Sequence, residues 1–284
     1  MTLLILILKV ALVALLAPLA GAVIRGIDRK LTARVQGRIG PPLLQPIYDI
    51  LKLLRKQPIV VNRVQVLYVV LHLAFMVLAM LFLVLGQDSL MMLFVLAFST
   101  LSLVLGGMSV RSPYSRIGSQ REILMMVAYE PILVLMVVGF YLVSGSFQME
   151  KILEGPQPLM LQLPLIFLAY LIVVAIKLQK SPFDLATSHH AHQEIVKGIT
   201  LEISGPYLAI VEITHCYETI FFLAWIGLFW ATNVFVAVAL MVGAFLGAVL
   251  LDNVFARLTT LWMFKFMWTV GLGLALTNIL WLYW

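Results

Sequence analysis

Residues 177–218, KLQKSPFDLATSHHAHQEIVKGITLEISGPYLAIVEITHCYE, concentrate the ionisable groups of an otherwise apolar chain. They hold five of its thirteen acidic residues (Asp184, Glu194, Glu202, Glu212, Glu218) and four of its five histidines (His189, His190, His192, His215). Groups of this kind persist at or inside a bilayer where they pair, line water or carry protons. At 100° per residue, Glu212, His215 and Glu218 cover an arc of roughly 120° on one side of a helix. Carboxyl and imidazole groups on one face can hand protons along through hydrogen bonds or water. Glu130, followed by Pro131, is a further carboxyl inside an apolar run. A single such glutamate is explained by a protonated or paired side chain that joins helices. Four carboxyls and a histidine converging from one loop point instead to a proton or ion path. The lone His72 reads as interfacial or structural.

His189, His190 and His192 have metal-ligand chemistry but no clear fourth ligand, since Cys216 lies in a different segment. A hydrogen-bonded cluster or a proton buffer at a subunit junction fits them better, and no metal is assigned to the chain. One cysteine allows neither an internal disulfide nor an iron–sulfur cluster held by this chain's own thiolates. Phosphate-binding, dinucleotide-binding and hydrolase motifs are absent from the sequence. Redox chemistry therefore belongs to a partner, and no cofactor is expected on this chain.

The elements that must position these groups follow from composition. The 284 residues are 63% hydrophobic and 11% charged, against roughly 25% charged in soluble domains. This is the signature of an all-α integral membrane protein forming a single polytopic domain over residues 1–284. A span needs about 20 apolar residues. About eight candidates meet or approach that length: 3–24, 64–85, 90–110, 123–143, 163–177, 206–229, 234–251 and 261–283. The fifth is the shortest and begins near Pro164. The first exceeds a signal-peptide core and is read as a retained helix. Seventeen of the nineteen basic residues fall on one side of this topology. The positive-inside rule puts that side in the cytoplasm and both termini outside. A net charge of +6 carried in such loops, without interleaved aromatics, speaks for anionic lipid and protein partners and against nucleic acid.

The first basic loop carries Arg29, Arg34 and Arg38, the last two in a basic turn, and then Asp49 and Lys52 within residues 43–56. That stretch has apolar residues at near-helical spacing and is too short to span, so it reads as an amphipathic helix in the interface. Contact with lipid headgroups and contact with a peripheral subunit both fit it. The second long connection, residues 178–205, is broken by Ser181-Pro182-Phe183-Asp184, where Asp184 caps a turn or meets a basic loop. Residues 189–197 are expected to form a short helix.

Several of these segments resemble one family. Arg29-Lys30-x-x-Ala33-Arg34-x-Gln36-x-Arg38-x-Gly40-Pro41 and Leu44-Gln45-Pro46-x-x-Asp49-x-x-Lys52-Leu53 look like the first cytoplasmic loop of the complex I membrane subunit that holds the quinone chamber. Tyr129-Glu130, Ser181-Pro182-Phe183-Asp184-Leu185 and Glu202-x-x-x-Gly205-Pro206 with Glu212 fit the same family, in order, over most of the chain. Where quinone-reducing members are acidic, residues 188–198 here carry three histidines, one glutamate and one lysine. That variation resembles the corresponding subunit of energy-converting, membrane-bound [NiFe] hydrogenases of the Ech or carbon-monoxide-induced type. The resemblance implies a non-catalytic anchor in the plasma membrane of a prokaryote. A nickel–iron large subunit and an iron–sulfur small subunit would dock on the cytoplasmic loops, with an antiporter-like subunit beside it in the membrane. Reduced ferredoxin would supply electrons for proton reduction coupled to H⁺ or Na⁺ translocation. Glu130, Glu194, Glu202 and Glu212 would form the acidic path, with Glu218 and His215 added from local chemistry. Asp184, His189, His190, His192, Arg29, Arg34, Arg38, Asp49 and Lys52 would lie at the subunit junction. Two other readings stand beside this one: the quinone-site subunit of a complex I-like NADH or ferredoxin dehydrogenase, and a stand-alone ion transporter, for which the expected internal repeats are not seen.

Overall fold

The computed structural model describes residues 2–155, 157–186 and 197–284, with side chains from Val10 onward. Among the described residues it is built of helices and contains no strand: α1 (Thr2–Val35), α2 (Gln45–Leu54), α3 (Arg63–Val84), α4 (Ser89–Met108), α5 (Pro113–Ser144), α6 (Met149–Leu153), α7 (Leu159–Gln162), α8 (Pro164–Lys177), α9 (Gly205–Leu228), α10 (Val234–Val254), α11 (Thr260–Phe266) and α12 (Leu272–Leu282). A single π-helical turn, Met267–Gly271, joins the last two into one rod. Among the described residues, seven helices are long and apolar enough to cross a membrane.

The eighth expected span is the exception. α8 has 14 residues, roughly 21 Å of rise against a hydrocarbon layer of about 30 Å. Pro164 stands in its first turn, where a missing N–H costs nothing, and its last residue is Lys177. Protein rather than lipid surrounds it: Ile166, Ala169, Tyr170 and Val173 are completely buried, and the helix packs on α5, α9 and α12. Its first turn is completed from another helix. Leu165 and Ile166 donate their backbone N–H groups to Asn278 Oδ1 at 2.8 and 3.0 Å. Asn278 Nδ2 in turn donates to the Gln162 carbonyl at 3.0 Å.

Two helices run well beyond their apolar stretches. α1 continues past residue 24 to Val35, so Arg25, Asp28, Arg29 and Arg34 are helical and Arg34 belongs to the last turn, not to a separate basic turn. Nothing in residues 25–35 breaks a helix; the chain turns only at Gly37, whose φ of +69° suits glycine. α5 begins at Pro113, ten residues before the expected 123, with Ser112 as N-cap. Its polar opening turns carry Arg116, Arg121 and Glu122.

α1 and α9 cross at closest approach where Gly21 meets the backbone of Cys216. A Cβ at Gly21 would lie 2.1 Å from the Cys216 carbonyl oxygen. One turn further along each helix the same contact brings Arg25 against Glu212, so the two helices run antiparallel. α2 lies across both. The segment after α8 is tied down on several sides. Lys180 sits between Asp28 of α1 (2.6 Å) and Asp252 of α10 (3.1 Å). The Ser181 N–H donates to Asp252 Oδ1, and the Leu258 N–H to the Pro182 carbonyl. Arg257 donates to the Leu185 carbonyl at 2.9 Å.

Replacing Asn278 with leucine removes one acceptor and one donor and leaves two N–H groups and a carbonyl without partners, each worth about 1–3 kcal/mol when buried. Asn278→Leu should lower the thermal midpoint of the detergent-purified protein clearly. An unchanged midpoint would show that the cross-helix cap contributes nothing.

Candidate functional site

The polar interior lies at the end of the bundle where α1, α8 and α10 finish and α5 and α9 begin. A chamber of about 540 Å³ is lined by α1, the turn after it and the segment following α8. Charged groups dominate its wall: Arg25, Asp28, Arg29, Arg38, Lys177, Lys180, Asp184 and Asp252. Most are compensated. Arg25 Nη1 donates to Glu212 Oε2 at 2.8 Å and Arg29 to Asp49 at 2.9 Å, while Lys180 bridges its two aspartates. Arg38 donates to Gln36. Asp184 differs, because its Oδ1 is buried without a partner. Burial pushes its carboxyl up to about 6 from an ordinary 3.8, with Arg257 and Lys180 pulling it down and Asp252 pushing it up.

A second, small cavity of about 30 Å³ lies deeper. Lys177, Gln179, Asp184 and His215 line both spaces, so the two adjoin. Around the inner one stand Glu122 of α5, Glu218 and His215 of α9, His72 of α3 and Thr100 of α4. His215 Nδ1 and Glu218 Oε2 share a hydrogen bond of 2.9 Å within one turn. Lys177 donates to Thr100 Oγ1 at 3.0 Å and stands 4.5 Å over the Tyr129 ring. The rings of His72 and His215 meet edge to face at 6.3 Å. Carboxylates, imidazoles and an ammonium thus sit within one or two hydrogen bonds of each other, a constellation for moving protons rather than for covalent chemistry.

Of the residues expected on the path, Glu212, His215 and Glu218 do lie together. Glu130 does not join them; it is eight residues beyond Glu122 on α5, about 12 Å of helical rise, and lines neither cavity. Its Oε1 is buried without a partner. Glu202 sits in the turn before α9 and also lines neither cavity. Glu194, His189, His190 and His192, with the helix expected over 189–197, lie outside the described residues, apart from Lys197 at the edge of the 3₁₀ turn Gly198–Thr200. Of the expected junction residues, Asp184, Arg29 and Arg38 line the chamber, and Asp49 reaches it through Arg29. Arg34 and Lys52 are exposed beside it. Sequence reasoning missed Glu122, Lys177 and His72. Glu122 falls outside the apolar stretch of its helix, Lys177 closes a short one, and His72 has no ionisable neighbour in sequence.

Seven long apolar helices around a charged chamber that opens into a buried acid–base cluster define a multi-pass membrane protein with an ion-handling interior. A family profile described as NADH dehydrogenase matches residues 8–283, and the chain belongs to that family. A membrane subunit of the NADH-quinone oxidoreductase of Geobacillus kaustophilus is 30% identical, over 89% of this chain and 85% of that protein. Its counterpart in Dehalococcoides mccartyi is 29% identical, over 89% and 79%. Among solved structures, a chain of the membrane-bound sulfane sulfur reductase, an archaeal respiratory membrane complex, superposes with a TM-score of 0.88 at 26% identity, covering 98% of this chain and 99% of that one. These likenesses agree with a multi-pass protein of the plasma membrane.

The buried Asp184 makes a signed prediction. Its proton is held more tightly in the folded protein than in the unfolded chain. The stability it contributes is full below about pH 4 and is lost as pH rises through about 6. Asp184→Asn cannot lose it. The melting temperature of the variant relative to wild type should therefore rise between about pH 5 and pH 7.5. A difference that stays constant over that range would show that this carboxyl does not titrate there.

Proposed function

We propose that this chain is the membrane-anchoring and coupling subunit of a multisubunit energy-converting complex of the [NiFe]-hydrogenase type. The observation that carries the proposal is the succession of acid–base groups leading inward from the chamber: Asp184, the Arg25–Glu212 pair, the His215–Glu218 pair, and Lys177 with Glu122. A redox arm at the chamber end would change charge there, and this succession would pass that change, or the proton that follows it, into the bundle. The exposed basic side chains around the chamber mouth, Arg34, Lys52, Arg55 and Lys56 among them, supply a docking surface for it. Their number in the connecting loops supports a cytoplasmic orientation for that end. The nickel–iron and iron–sulfur centres would reside in the docked subunits and ferredoxin would reach them there, while an antiporter-like subunit would continue the ion path.

The membrane arms of this family serve different redox arms. Its curated relatives are named for quinone reduction, and the solved structure it resembles is named for sulfane sulfur reduction. That supports a role for this chain apart from the redox reaction itself. Three histidines in residues 188–198, in place of the acidic stretch of quinone-reducing members, favour the hydrogenase assignment. A quinone-site role is the second reading. The chamber volume lies in the range of small-molecule sites, roughly 300–1,000 Å³. Its wall, however, is more charged than such mostly apolar sites usually are.

Affinity purification in mild detergent, metal analysis and a hydrogen-evolution assay separate the two readings. Nickel with hydrogen evolution supports the first; flavin and quinone without nickel support the second. Within the intact complex, Glu212→Gln should stop turnover or uncouple it from ion movement while assembly persists. Full hydrogen evolution with an unchanged ion gradient would sink the coupling role.

A further inference from the structure

His72 is one of the most completely buried polar side chains of the protein, at 1% exposure. Its hydrogen bonds determine which ring nitrogen carries the proton. Ser99 Oγ donates to the His72 carbonyl at 2.8 Å, which uses its one hydroxyl proton. The Ser99 oxygen and the Ser99 carbonyl, each 2.9 Å from His72 Nδ1, are then both acceptors. Nδ1 therefore carries the N–H, and the neutral ring presents the lone pair of Nε2. That atom is buried without a partner, and His72 lines the inner cavity. Facing it are His215 and Glu218 of α9, Glu122 of α5 and Lys177 of α8, with Thr100 of α4 alongside.

The cavity, at about 30 Å³, exceeds the space one water needs, about 10–15 Å³. Its walls offer the two to four polar partners that hold a buried water. A metal ion fits it poorly. Among the described residues no three His, Cys, Asp or Glu side chains are arranged to ligate one, and the Lys177 ammonium would repel it.

We propose that a water in this cavity bridges the His215–Glu218 pair to His72 Nε2, making His72 the relay through which a proton passes from α9 towards α3 and α4. This rests on the coupling role proposed above. The step balances without electrons. The pair gives one proton to the water as the water gives one of its own to Nε2, and His72 becomes an imidazolium whose Nδ1–H still rests on Ser99. Lys177, held by Thr100, repels a positive charge parked on the ring, so the protonated state passes on rather than accumulating. Ser99 acts as a positioning residue: by holding Nδ1–H it keeps Nε2 open to the cavity.

The test uses the intact complex reconstituted in proteoliposomes and reads protons moved per electron pair. His72→Ala and His72→Gln should both lower that ratio about tenfold or more, within the range of a lost acid–base group. Gln serves where Ala does not assemble, because it retains an N–H for Ser99. Added imidazole should restore the ratio in His72→Ala, whereas thiophene, similar in size but unable to carry a proton, should not. Equal rescue by thiophene would assign His72 to packing and overturn the relay, as would wild-type ratios in both variants. Glu218→Gln runs in parallel. If it alone lowers the ratio, the coupling role stands and the His72 relay falls; if neither site matters, the coupling role falls as well.

Discussion

Hydrocarbon offers a charge neither a counter-ion nor a hydrogen bond, so every ionised group carried into this bundle must find its partner on another part of the chain. That constraint organises the chamber end of the molecule. Arg25 finds Glu212 only because Gly21, one turn away, lets α1 and α9 come into backbone contact. Lys180 finds Asp28 and Asp252, and in doing so binds α1, the segment after α8 and α10 into one frame. Removing one member of such a pair costs more than the pair contributes, because the survivor is left charged and only partly solvated. The frame is therefore hard to change piecemeal. Of the cavity-lining groups outside it, Asp184 Oδ1 and His72 Nε2 stand out as polar atoms with protons to give or take.

Much of the fold was legible in the sequence because lipid imposes it. Helices α3, α4, α9 and α10 begin and end within three residues of the apolar stretches that announced them. The misjudged ends belong to α1 and α5, and the reason is physical: hydropathy reports where a helix meets lipid, not where its hydrogen bonding stops. Both helices continue as polar rods, and those extensions hold Arg25, Asp28 and Glu122. The site was legible in the same measure. His215 and Glu218 are three apart on one helix, so their contact follows from helical geometry alone. Arg25 and Glu212 are 187 residues apart, and no local pattern in a single sequence marks such a pair. His72 looked like an isolated polar residue because all its neighbours come from α4, α5, α8 and α9.

The family places this architecture under more than one kind of redox chemistry. Relatives are named for quinone reduction and a structural match for sulfane sulfur reduction, while the helical frame is shared over nearly the whole chain. A frame held by internal ion pairs tolerates such exchange, since its stability does not depend on what docks at the chamber. The residues free to vary are those on the exposed rim, and the acid–base cluster lies behind them.

The cap on α8 bears on how the protein is made. Leu165 waits for an acceptor that lies 113 residues further along the chain. At about 5–20 residues per second, ribosomal synthesis needs roughly 6–23 s to deliver it. During that interval a helix too short to cross the bilayer carries open N–H groups in its first turn, and the translocon or the neighbouring helices must shelter it. Insertion of α8 is then completed by the arrival of the final helix, so the C-terminal rod acts as a checkpoint on the biogenesis of the bundle, and a chain that stops before Asn278 would leave an exposed end for membrane quality control to recognise.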